Sequence, residues 1–110
     1  MDERARRIGA NEALYRSVNE KIEALSAAFG AITETMSVVC ECGDASCAEQ
    51  IEVSIADYER IRSVPTFFII RPGHEIRDVE EVVERNDEFH VVKKVEGDAA
   101  ELARETDPRA

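Results

Sequence analysis

No apolar run in the 110 residues approaches the roughly 18 needed to cross a membrane. The first residues are charged and lack the apolar segment of a secretory signal. Neither membrane insertion nor export is therefore expected, and the cytoplasm is the expected location. Positive charge is also scarce, with 14 Lys and Arg against 24 Asp and Glu, a net charge of −10. Residues 1–33 hold five acids and five bases, so the whole surplus lies in residues 34–110. A field of that sign repels phosphate and anionic lipid, which argues against nucleic acid and membrane surfaces as partners. Catalytic signatures are missing too. There is no Gly-rich phosphate loop, no Ser/His/Asp set, no His-Glu-x-x-His and no His-x-Glu with Pro-Cys-x-x-Cys. Acidic neighbours such as Glu80 and Glu81 read as solvated surface. A small zinc-dependent hydrolase or deaminase would have to use Glu41 or Glu75 as its base, and the expectation is that the protein is not an enzyme.

What the chain does have is concentrated. All three cysteines fall within eight residues, in Cys40-Glu41-Cys42-Gly43-Asp44-Ala45-Ser46-Cys47. An odd, clustered set in a reducing compartment argues against a disulfide framework. At the end of a strand, period-two alternation puts the sulfurs of Cys40 and Cys42 on one face. Gly43 then allows the chain to turn and return Cys47. Thiolates grouped in this way select Zn²⁺, with iron or an iron–sulfur cluster as the weaker alternative. A closed structural site needs a fourth ligand, and only two histidines are available. His74, in the Arg71-Pro72-Gly73-His74 turn, is the expected one, because such a turn presents a side chain rigidly. His90 lies mid-strand and reads as a cross-strand residue. The other chemistry open to the cluster is a thiol-based redox sensor, in which Cys42 and Cys47 close a reversible disulfide.

Around this segment the periodicity predicts an α+β fold. A long N-terminal amphipathic helix would pack on a small, mainly antiparallel sheet, with a metal clamp. Ile8, Tyr15, Val18, Ile22, Leu25, Phe29 and Ile32 recur every three or four residues, with Asn11 in the same series. Glu12, Arg16 and Glu20 are spaced for ion pairs on other faces. The helix, residues 1–33 and ended around Gly30, reads as a core-covering or dimerising element, with Asn11 setting register in the coiled-coil case. Residues 34–110 read as the zinc-binding body. Strands are predicted over 35–40, 50–54 and 67–70. A helix over 55–63 starts at Ser54, with Asp57 three residues on. Residues 79–85 and 89–95 read as a hairpin, although 78–83 also suits a helical turn. A last helix spans 99–105.

Several segments together resemble a family of small, largely uncharacterised proteins of actinobacterial type. They are Asn11-Glu12, Val18-Asn19-Glu20-Lys21-Ile22, Val39-Cys40-Glu41-Cys42-Gly43 with Cys47, Tyr58-Glu59-x-Ile61-Arg62, Pro72-Gly73-His74-Glu75, Val82-Val83-Glu84 and Asp107-Pro108-Arg109. The resemblance spans nearly the whole chain. It implies that Cys40, Cys42, Cys47 and His74 form one site, and it carries no activity. The expected function is that of a zinc-stabilised, non-enzymatic interaction or regulatory protein. Its partner would be another protein, or a second copy in a homodimer, engaged through the N-terminal helix.

Overall fold

The computed structural model describes residues 3–28, 35–44 and 46–109. The elements run α1 (Glu3–Ala28), β1 (Thr35–Val39), β2 (Gln50–Ser54), α2 (Ile55–Arg62), β3 (Phe67–Ile70), β4 (Glu80–Arg85), β5 (His90–Lys94) and α3 (Asp98–Glu105). This is an α+β arrangement of a long helix with small antiparallel sheets. The expected helix end at Gly30, and Phe29 and Ile32 of the apolar series, lie outside the described residues.

Alternation builds the first sheet. Met36 and Val38 of β1 face inward and pair across the ladder with Val53 and Ile51 of β2. Ser54 then caps α2, its hydroxyl accepting the Asp57 backbone N–H at 3.0 Å. The second sheet has the order β3-β5-β4. Its centre is thus β5 rather than the apolar strand β3, yet Phe68, Ile69 and Ile70 of β3 are all buried. The segment that suited either strand or helix is a strand from Glu80, paired with β5. A register shift between Val82 and Glu84 leaves Val83 exposed.

Among the described residues no ladder joins the two sheets, and Glu41 connects them. The Glu41 backbone N–H donates to the Ile69 carbonyl at 2.8 Å, and the Ile69 N–H donates to the Glu41 carboxylate at 3.0 Å. Glu41 thus pairs with β3 through its backbone on one side and its side chain on the other.

The structure rotates the expected face of α1. Val18 and Leu25 of the apolar series are exposed (38% and 62%), as is Leu14 (59%), while Glu12, Arg16 and Asn19 are fully buried beside Ile8. The charges expected on other faces therefore point into the body, because the body meets them with partners. Lys94 Nζ lies 2.6 Å from Glu12 Oε2 and 2.9 Å from Glu80 Oε2. Glu80, read from sequence as solvated, is buried for the same reason. Arg16 donates to the carbonyls of Pro65 (2.6 Å) and Ala103 (2.7 Å), and its guanidinium lies 4.5 Å over the Phe68 ring. Buried Arg62 binds Glu20 and Asp107, and Arg109 reaches Glu20 and Glu59, so the C-terminal Asp107-Pro108-Arg109 segment docks on α1 and α2. Burial pushes the Glu12 carboxyl well above its ordinary range, and Lys94 pulls it back.

Candidate metal centre

Cys40 and Cys42 follow β1 directly, and the Cys40 N–H still pairs with the Glu49 carbonyl at 2.9 Å, so strand geometry persists past Val39. Alternation places Cys40 and Cys42 on one side and Glu41 on the other. The chain then turns, with the Asp44 carboxylate accepting from the Ser46 N–H and hydroxyl and the Asp44 carbonyl accepting from the Cys47 N–H. After β3, the Arg71–His74 turn, with Gly73 at φ 87°, brings His74 back over the sulfurs.

The sulfurs of Cys40, Cys42 and Cys47 and a ring nitrogen of His74 all lie within 4.8 Å of one another, close enough to hold a metal ion. The facing nitrogen is Nδ1, 3.5 Å from Cys40 Sγ and 3.7 Å from Cys47 Sγ. Cys40 and Cys42 are buried, and Cys47 and His74 are partly exposed beside an open groove lined by Cys42, Asp44, His74 and Ile76. All three thiols are free of disulfides. His90 is not in the group; its Nδ1 faces Glu75 Oε1 at 3.9 Å.

The electrostatics divide the sulfurs. A hydrogen bond from the Cys40 thiol is the main influence lowering the Cys42 thiol to about 5, helped by the Asp44 N–H, His74 and Cys47. The reciprocal bond and burial push Cys40 upward, and burial raises Cys47. The Arg71 N–H also donates to Cys40 Sγ at 3.2 Å. The cluster thus offers one ready thiolate and two thiols that lose protons when a cation arrives.

The surroundings tie this site to α1. Asn19 treats Val39 as a neighbouring strand would, accepting from its N–H and donating to its carbonyl, both at 2.8 Å. The same Nδ2 donates to Glu41 Oε2 at 2.8 Å. Asn11, the expected coiled-coil register residue, donates instead to the Gly43 carbonyl at 3.0 Å. Nothing in the local sequence around Asn11 or Asn19 signals these bonds, because their acceptors lie 20 or more positions away.

Two predictions arise here. A methyl group on Gly43 would run into Ile8 and approach Ile76 Cδ1 at 3.2 Å. Gly43→Ala should therefore lift the start of α1 from the cysteine loop and cost about 1–3 kcal/mol, read as a lower urea midpoint; an unchanged midpoint would show that the two are not in tight contact. The second concerns Glu41, whose carboxyl is raised to about 7, chiefly by burial. Between about pH 4.5 and 7 it is protonated in the folded chain and ionised in the unfolded one. Its stabilising contribution is full below the unfolded value and is lost as pH rises through the folded one. From about pH 5 to 8 the wild type should lose about 2.5 kcal/mol that Glu41→Gln does not lose. Parallel stability profiles for the two proteins, both metal-free, would contradict this.

Compared with protein-family models, curated proteins and solved structures, the chain matches none. No helix among the described residues is long and apolar enough to cross a membrane.

Proposed function

We propose that this is a zinc-stabilised, non-enzymatic interaction or regulatory protein. A structural Zn²⁺ on Cys40, Cys42, Cys47 and His74 holds it in shape, and the outward face of α1 meets a protein partner. The observation that carries the reading is the spacing of the ligand atoms. Tetrahedral zinc with Zn–S near 2.3 Å and Zn–N near 2.0–2.1 Å separates sulfur from nitrogen by about 3.6 Å. The Nδ1 distances of 3.5 and 3.7 Å bracket that value. One ion suits atoms this close, whereas a multi-iron cluster interposes several metal and sulfide atoms and holds its cysteines further apart. The thiolates require a reducing compartment, in keeping with a cytoplasmic location.

Four protein ligands leave no coordination position for a reacting water. Both carboxylates that would serve a hydrolase are directed elsewhere: Glu41 is buried against Asn19 and Ile69, and Glu75 faces His90. These placements support a structural rather than a catalytic ion. For the partner, the outward side of α1 carries Leu14, Val18 and Leu25 with exposed Arg6, Arg7 and Lys21 alongside. An apolar centre with cations beside it suits a neutral protein surface carrying a few acidic groups, since the net charge of −10 repels a broadly acidic one. In a homodimer through this face, cations would meet cations.

Titration of the metal-free protein with Co²⁺ tests the site. The visible bands of tetrahedral Co²⁺ with thiolate ligands should saturate at one equivalent and be abolished by Zn²⁺, with His74→Ala weakening both. A weak octahedral spectrum would contradict the proposal. Sedimentation should show a monomer; a concentration-dependent dimer lost in Leu14→Glu/Leu25→Glu would assign the face to a second copy.

A further inference from the structure

We propose that Glu49 is a positioning residue for His74, fixing the tautomer in which Nε2 carries the proton and Nδ1 is free to bind the metal. The inference rests on the zinc reading above and adds a residue that does not itself touch the ion. His74 presents its two nitrogens to different surroundings. Nδ1 faces the sulfurs of Cys40 and Cys47, while Nε2 lies 3.0 Å from Glu49 Oε2. A neutral imidazole has one N–H and one lone pair, and whichever nitrogen donates determines which can ligate. A carboxylate can only accept, so Glu49 selects Nε2–H and turns the Nδ1 lone pair toward the thiolates. A bond accepted there would also make Nδ1 a better donor to the cation.

The placement of Glu49 is set by the same backbone that sets the ligands. Its carbonyl accepts the Cys40 N–H at 2.9 Å, so Glu49 lies directly across the ladder from the first cysteine. From there its side chain reaches His74, and its other oxygen lies 3.9 Å from Arg71 Nε. Arg71 in turn donates its backbone N–H to Cys40 Sγ. Cys40, Glu49, His74 and Arg71 thus form a closed ring of contacts. The Glu49 side chain is exposed (55%), so its removal leaves no buried gap and the metal-free fold has little reason to change.

The test compares wild type, Glu49→Ala and Glu49→Gln. Zinc affinity is measured against a competing chelator, and both the His74 tautomer, from long-range proton–nitrogen correlations, and the thermal stability are measured on the metal-free protein. Glu49→Ala should bind zinc about 10–100-fold more weakly with an unchanged metal-free melting temperature. Glu49→Gln, whose amide oxygen can still accept from Nε2–H, should recover part of the loss. The wild type should show the Nε2–H tautomer. If the wild type binds zinc and Glu49→Ala matches it within twofold with the same tautomer, Glu49 plays no positioning role while the zinc reading stands. Weaker affinity accompanied by a lower metal-free melting temperature would make Glu49 a fold residue instead. A wild type that takes up no zinc overturns both proposals.

Discussion

Chelation of the ion should lower the melting temperature by on the order of 15–20 °C and broaden the transition. The four ligands come from three separate places: the end of β1, the loop before β2 and the turn after β3. An ion held by all of them therefore joins two sheets that share no ladder between them. Free zinc at about a thousand times its dissociation constant contributes about 4 kcal/mol, which for a chain of this size corresponds to that shift. Removing the ion also leaves three sulfurs crowded together with no cation beside them. The loosening should be local first. Amide exchange ought to quicken in 39–49 and 71–76, and next in the first half of α1, which Asn11 and Ile8 attach to Gly43. A metal-free protein that melts at the same temperature as the zinc-loaded one would leave Glu41 and the apolar core as the whole connection between the sheets.

The second large effect lies in the buried charges beneath α1. Lys94→Met should cost about 3–5 kcal/mol, because it leaves the carboxylates of Glu12 and Glu80 facing one another with no cation. Shape is not the difficulty, since methionine is close to lysine in length. Neutralising the carboxylates as well, in Glu12→Gln/Lys94→Met/Glu80→Gln, should restore part of the loss. Leu14→Ala and Leu25→Ala should each stay within about 0.5 kcal/mol of wild type, because both side chains are exposed. Urea unfolding of these variants orders the faces of the helix directly. If Leu14→Ala costs as much as Lys94→Met, α1 is held by its apolar residues and the charge network is incidental.

That contrast also shows what the sequence could and could not reveal. β1 and β2 were legible because each keeps to its period, as in Met36 and Val38 against Ile51 and Val53, and α2 because Ser54 announces its start. The grouping of Cys40, Cys42, Cys47 and His74 was legible because its geometry is set locally. Alternation aligns Cys40 with Cys42, a Gly-containing loop returns Cys47, and a Pro-Gly turn delivers His74. The orientation of α1 was not, because pattern reading assigns the apolar stripe to the core. Here the body offers Lys94, Glu41 and exposed carbonyls, so Glu12, Arg16 and Asn19 turn inward and Val18 and Leu25 turn out. Those partners lie 20 to nearly 90 positions away, and no window of sequence contains both ends of the interaction. Glu49 escaped for a related reason: its link to His74 depends on how the end of β1 pairs with the start of β2.

Charged groups buried under a helix add little net stability, because desolvation offsets most of their attraction. What they supply here is a single docking geometry for α1, since an apolar stripe tolerates rotation and a lysine between two carboxylates does not. A metal clamp on one side and that network on the other would hold α1 against the body and leave its Leu14–Val18–Leu25 side free for a partner.

Metal analysis of the protein purified without added zinc, combined with X-ray absorption at the metal edge, would show directly whether Cys40, Cys42, Cys47 and His74 hold zinc. One zinc per chain is expected, coordinated by three sulfurs and one nitrogen at about 2.3 and 2.0–2.1 Å. Protein that emerges metal-free, with three titratable thiols and no zinc uptake when zinc is supplied, would contradict it.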